Sequence, residues 1–185
     1  MARLYLALVH HPVLDRNGRI VTSAITSLDL HDIARSSRTY GVRGFFVVHP
    51  IPEQREFAAT VLDHWRVNFG RAFDGRRREA LELVRIVDRL DHAIEVVDAE
   101  TGSRPLLIHT SAQTVGGIPH AELRARLDAP EAPPAILLLG TGFGLAPEVR
   151  ARADLLAAPI LGADSYNHLS VRAAAAILLD RLCGA

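Results

Sequence analysis

Short apolar runs recur along this chain, each cut off by proline, glycine or charge, and stretches with one apolar helical face fall between them. Arg3–Val9 alternates weakly and predicts a first strand, ended by His10, His11 and Pro12. Residues 12–26 carry Asp15–Arg16–Asn17–Gly18, a turn signal, and predict a long loop or hairpin of the kind that is often functional. In Leu28–Tyr40, Leu30, Ile33, Ala34 and Ser37 share one face, with Asp29 the expected N-cap and Gly41 the stop. Gly44–Val48 predicts a second strand. Pro52 then opens a helix over Glu53–Phe69 whose inward face is expected to be Phe57, Val61 and Trp65.

Gly70–Arg78 predicts a loop, Glu79–Leu83 a short helix, Val84–Val87 a third strand and Asp88–Asp98 a helix. Pro105–His109 predicts a fourth strand and Pro119–Leu127 a short helix. The run Ala135–Leu139 has no charge and predicts a strand buried on both faces. It ends in Gly140, Gly142 and Gly144, where the backbone can turn sharply or approach a ligand, and Pro147 suits the first turn of a helix. Asp154–Ala157 predicts a further strand, Ile160–Tyr166 a loop, and Asn167–Leu182 a final helix with Ser170 as its cap. This alternation predicts one α/β domain over 1–185, a mostly parallel sheet with helices on both faces.

Composition narrows the classes. The chain has 185 residues, and 49% are apolar, which argues against disorder. With 21 basic and 21 acidic residues there is no global field, so a nucleic-acid partner needs a local basic patch and no DNA partner is expected. Arg66, Arg71, Arg76, Arg77 and Arg78, with Trp65, Phe69 and Phe73 among them, form one candidate; a charged surface loop with inward aromatics is the alternative. A single cysteine, Cys183, excludes an intrachain disulfide and reads as a small buried hydrophobe. No two of the nine histidines are spaced to share a helix face, so no metal site is expected. The first residues lack the pattern of a signal peptide, and no apolar run reaches membrane-spanning length. A cytoplasmic protein without a membrane partner is the expectation.

The glycine loop admits two cofactors. Gly-x-Gly-x-Gly after a strand loosely matches the dinucleotide fingerprint, but its spacing differs, it comes late in the chain, and Asp164 falls in a loop rather than at a strand end. The second reading comes from likeness. Asp29–Gly41, with an arginine at position 35, resembles the first motif of the SpoU type; Leu137–Ala146 resembles the second; Ser165–Ile177 resembles the third. Together they resemble the SPOUT superfamily of RNA methyltransferases. Over its whole length the chain is similar to a small bacterial family of TrmD-like, S-adenosylmethionine-dependent members.

That resemblance implies a deep trefoil knot over about residues 105–185, a homodimer packed through it, S-adenosylmethionine as cofactor and tRNA or rRNA as substrate. It assigns cofactor binding to Thr110, Ser111 and Ala112, and to Leu139, Gly140, Thr141, Gly142, Gly144 and Leu145. A third loop adds Ile160, Leu161, Gly162 and Ser165, then Asn167, His168, Leu169 and Ser170. It implies catalytic positions at Arg35, Asn167 and Asp29, with Arg38, Arg71, Arg76, Arg77 and Arg78 toward RNA. Asp29 stands where the motif usually has asparagine, and the third motif is longer here. The chain is expected to end at the knot, without the separate tRNA-binding domain of TrmD. A non-catalytic cofactor- or RNA-binding module that needs a partner is the alternative, ahead of a NAD-dependent oxidoreductase.

Overall fold

The first strand, β1 (Leu4–Val9), is buried along its whole length, which hides its period-two pattern in the sequence. Leu4, Leu6 and Leu8 enter one core, while Tyr5, Ala7 and Val9 enter the other. The computed structural model describes residues 3–67, 75–112, 116–164 and 166–185. After β1 come a small hairpin, β2 (Val13–Leu14) and β3 (Ile20–Val21), then α1 (Ser27–Thr39), β4 (Phe45–Val48) and α2 (Pro52–Arg66). Next are α3 (Gly75–Leu81), β5 (Val84–Val87), α4 (Leu90–Thr101), β6 (Leu106–His109) and α5 (His120–Leu127). The chain finishes with β7 (Ala135–Gly140), α6 (Pro147–Arg150), β8 (Leu155–Leu156) and α7 (Val171–Cys183).

The main sheet has six strands in the order β5-β4-β1-β7-β6-β8, and every pairing in it is parallel. From β1 the chain builds outward through β4 to β5. It then crosses to the other side, lays down β6 and inserts β7 between β6 and β1. The reversal falls between β1 and β7, and a crevice for ligands opens at the carboxyl ends of strands at such a point. Helices α1, α2, α3, α5 and α7 cover the face carrying Leu137 and Ile108. Among the described residues, α4 and the single turn of α6 cover the opposite face. Among the described residues no helix is long and apolar enough to cross a membrane.

Four local expectations are corrected. The N-cap of α1 is Thr26: its hydroxyl accepts from Asp29 N at 3.2 Å and donates to Asp29 Oδ2 at 2.7 Å, so Asp29 sits inside the first turn. The inward face of α2 is turned by one position. Ala58 and Leu62 are buried, Val61 and Trp65 pack at the core margin, and Phe57 is exposed, because a small side chain lets the helix approach the sheet. Residues 75–78 are helical, which puts Arg76, Arg77 and Arg78 on α3 rather than in a loop. Finally, α7 starts at Val171. Ser170 caps it by accepting from Ala173 N at 3.2 Å, leaving Asn167, His168 and Leu169 as loop. Cys183 is half-buried, and burial pushes its thiol pKa up.

Candidate functional site

The glycines after β7 are required first by the protein's own backbone. The β2–β3 hairpin lies against this loop: Leu14 N donates to Gly144 O at 2.9 Å, Phe143 N to Leu14 O at 2.9 Å and Ala146 N to Pro12 O at 3.1 Å. Gly142 has φ +59°, and a Cβ there would stand 2.8 Å from the Leu14 carbonyl oxygen. Leu145, anchored by this contact, is buried in the smaller core beside Val13 and does not line the cavity that the loop encloses.

That cavity, of about 490 Å³, lies at the carboxyl ends of β1, β6, β7 and β8. A volume of this size suits a small organic cofactor. Thr110, Ser111 and Ala112 line it after β6, and Leu139, Gly140, Thr141, Gly142 and Gly144 after β7. Ile160 lines it after β8, and Asn167, His168, Leu169 and Ser170 lead into α7. Two side-chain bonds fix these loops: Thr110 Oγ1 donates to Leu138 O at 2.8 Å, and Asn167 Nδ2 to Ala112 O at 3.1 Å. Leu161 and Gly162 are exposed and lie outside the lining, and Ser165 lies outside the described residues.

Sequence reasoning missed Ser23, Ala24, Phe143, Ala158 and Pro159 on the wall, and Val171, Ala174 and Leu178 from α7. Val171, Ala174 and Leu178 recur at helical spacing on one apolar face of α7. Ser23 had no signal beyond its place in the long loop after β1.

The charges around the cavity are few. Asp29 is its acidic wall residue, buried, with Oδ1 accepting from Arg172 Nη1 at 2.9 Å and Oδ2 from the Thr26 hydroxyl. This ion pair ties the first turn of α1 to the first turn of α7. His168 is exposed, with its ring 5.6 Å from that of Tyr166. No arginine is on the lining among the described residues, and none of their His, Cys, Asp and Glu side chains cluster to hold a metal ion. Arg35, expected to be catalytic, is on the exposed side of α1 and outside this lining.

The arginines expected to meet RNA are engaged locally. Arg38 pairs with Glu79, Arg78 Nε donates to Glu82 Oε1 at 2.9 Å, and the Arg77 guanidinium lies 4.6 Å from the Trp65 ring centre. Arg76 also has an interaction partner, and Arg71 lies outside the described residues. Arg66 braces the fold: its Nη2 donates to Leu81 O at 2.6 Å and Val84 O at 2.7 Å.

Behind the hairpin side of the cavity stand two histidines. His10 is fully buried, its Nδ1 is 3.0 Å from Ser23 Oγ, and burial reinforced by the neighbouring His49 pushes its pKa down to about 4. His49 Nδ1 accepts from Ile51 N at 3.1 Å, so its ring proton sits on Nε2 and donates to Ser23 O at 3.0 Å. Burial lowers the pKa of His49 too.

The family model describing SAM-dependent RNA methyltransferases matches residues 3–184. The chain belongs to this family. The family's methyl donor is S-adenosylmethionine, and the cavity fits that molecule better than a dinucleotide. A diphosphate needs cations or a free helix N-terminus, whereas the lining described here has no arginine and α7 is capped by its own serine. The apolar wall of Leu139, Ile160 and Leu178 suits an adenine, and the glycine loop presents backbone polar groups to the rest.

The tRNA (guanine-N(1)-)-methyltransferase of Nitratidesulfovibrio vulgaris is 45% identical over 181 residues, which are 98% of this chain and 42% of that protein. The chain thus spans less than half the length of that curated relative. An Aquifex aeolicus protein is 38% identical over 180 residues, covering 97% of this chain and 87% of its own length. Among solved structures, the A. aeolicus TrmH/SpoU tRNA modifying enzyme superposes with a TM-score of 0.59 at 14% identity, over 98% of this chain and 74% of that one. The SpoU methyltransferase AviRb from Streptomyces viridochromogenes, in complex with AdoMet, gives 0.57 at 16% identity, over 99% of this chain and 58% of that one. These likenesses establish the SPOUT fold class expected from the motifs.

Proposed function

We propose that this methyltransferase acts on a nucleotide of tRNA or rRNA, as a cytoplasmic homodimer whose C-terminal third, about residues 105–185, threads into a trefoil knot. The observation that carries the reading is the cavity at the sheet's reversal point. Each of the three motifs contributes to its wall, the first through Asp29, and its described lining carries no arginine to hold a diphosphate. The names of the curated relatives favour tRNA among the RNA classes.

Methyl transfer is an in-line displacement in which the bound cofactor supplies an activated methyl group and the protein supplies alignment. Thr110 and Asn167 hold their loops in place around the donor, and Asp29 keeps α7 against α1 through Arg172. We assign Arg35 to the target nucleotide. It stands on the exposed side of α1 and outside the lining of its own chain's cavity, which favours a second protomer that brings a cavity to it. Leu161, Tyr166 and Leu169, exposed near the cavity mouth, support an interface there. Arg38 and Arg78 can exchange their surface ion pairs for phosphates at little cost.

The test is transfer of a tritiated methyl group to total RNA from a strain lacking the gene, followed by nucleoside mass spectrometry. Incorporation by the wild type and its loss in Arg35→Ala, with cofactor binding retained, supports the enzyme. Arg35 lying outside the cavity of one chain also favours a second reading, a module that binds the cofactor but needs a partner to act. Cofactor binding with no methylation of any RNA pool would establish that one.

A further inference from the structure

Ser23 is held from several directions by groups that have no other reason to converge on it. Its N–H donates to His10 O at 2.9 Å, its carbonyl accepts from His49 Nε2, and its hydroxyl lies between His10 Nδ1 and Thr141 Oγ1. Ser23 and Thr141 line the cavity; His10 lies wholly buried behind them, and its Nε2 has no hydrogen-bond partner. A hydroxyl placed between an imidazole nitrogen and an open cavity is an arrangement that moves a proton.

We infer that Ser23 and His10 form a proton relay that deprotonates the methyl acceptor, so the acceptor is a proton-bearing atom of the target nucleotide: a ring N–H, an amino group or a ribose 2′-hydroxyl. This rests on the methyltransferase reading above and narrows its substrate. Several of the other polar groups on the wall are engaged by neighbours or stand apart from this pair. Both Asp29 oxygens accept hydrogen bonds from neighbours, Thr110 Oγ1 donates to Leu138 O, the Ser170 hydroxyl caps α7, and His168 stands on the exposed loop.

The acceptor's lone pair forms the bond to the methyl carbon, and the carbon–sulfur pair stays on sulfur. The acceptor's own X–H pair remains on X as its proton passes to Ser23 Oγ, while the serine's proton passes to His10 Nδ1. In the resting relay the imidazole proton therefore sits on Nε2. Burial keeps His10 neutral at physiological pH and disfavours its charged form, and the nearby Asp29 carboxylate offsets part of that cost once the proton arrives. The positive charge that enters with the cofactor leaves through the imidazole.

The experiment measures single-turnover methylation of total RNA by the wild type, Ser23→Ala and Ser23→Thr, with S-adenosylhomocysteine binding followed by calorimetry and the product identified by nucleoside mass spectrometry. Ser23→Ala is expected to slow transfer by about 10²–10⁴-fold, to keep S-adenosylhomocysteine affinity within a few-fold, and to abolish the solvent deuterium isotope effect of the wild type. Ser23→Thr, which keeps the hydroxyl, restores most of the rate. Nitrogen-15 NMR of His10 is expected to show the proton on Nε2. Wild-type rates in Ser23→Ala, a ring proton on Nδ1, or a product methylated at a proton-free atom, such as 7-methylguanosine or 1-methyladenosine, would each overturn the relay alone. A wild type that methylates no RNA would overturn the parent reading and the relay with it.

Discussion

The carboxyl ends of β4 and β5 and those of β6, β7 and β8 belong to one sheet and face the same way, yet among the described residues the cavity of about 490 Å³ opens at the second set. The difference lies in how the chain leaves each strand. After β4 it passes Pro50 and enters α2 at Pro52, and after β5 it enters α4 at Leu90. The ladder continues past these ends, with His49 N on Val87 O and His10 N on Val48 O, both at 3.0 Å, and Arg55 Nη1 donates to His49 O. Those ends are closed. After β7 the chain turns through glycines. After β8 the described residues up to Ser170 form no helix, and the β2–β3 hairpin props the glycine loop from the side. Apolar patterning builds both halves of the sheet equally; connections make one of them a binding site.

Variants in the closed half are therefore expected to change stability and leave binding alone. Phe45→Ala, in the larger core and fully buried, is expected to cost about 3–5 kcal/mol by denaturant unfolding, with unchanged cofactor affinity in the folded fraction.

At the boundary of the halves, His10 makes stability depend on acid. Its folded-state pKa lies below its unfolded value, so the unfolded chain takes up the proton first as pH falls. Its contribution is complete above about pH 6.5 and is lost progressively down to about pH 4, a decline of roughly 3 kcal/mol. His49, His109 and His120 shift in the same direction through burial and steepen the loss. Urea unfolding across that pH range measures it, and His10→Gln should flatten the curve.

In the open half, Gly142→Val is expected to cost about 1–3 kcal/mol in backbone strain and to weaken S-adenosylhomocysteine binding far more than that stability change would suggest, because the hairpin is forced off the glycine loop. Calorimetry against thermal unfolding separates the two effects. The smallest change is Arg38→Ala on the helical face. Its exposed pair with Glu79 is worth under about 1 kcal/mol. If Arg38 meets a phosphate, the salt dependence of RNA binding becomes shallower by about one ion.

The strands were legible because their apolar runs are bounded by proline and glycine, and Val84–Val87 and Ala135–Leu139 were placed within a residue. The α2 face was misread because Ala58 carries little hydrophobic signal, although its smallness is what lets the helix approach the sheet. The glycine loop and the loops after β6 and β8 were found from the motifs, but Leu145 was assigned to the cofactor when a backbone bridge to Val13 turns it into the core. Ser23 was invisible because nothing in its neighbourhood is periodic, and its partners, at positions 10, 49 and 141, are distant in sequence. Arg35 was legible as a motif residue, but its distance from its own chain's cavity depends on where α1 sits in three dimensions.

The most direct test of the account is a crystal structure of the protein with S-adenosylhomocysteine. The account places that molecule at the carboxyl ends of β6, β7 and β8, against Thr110, Gly140 and Ile160, with Ser23 on the side open to the acceptor. Electron density for it at any other place, with the glycine loop left closed against α7, would contradict the account.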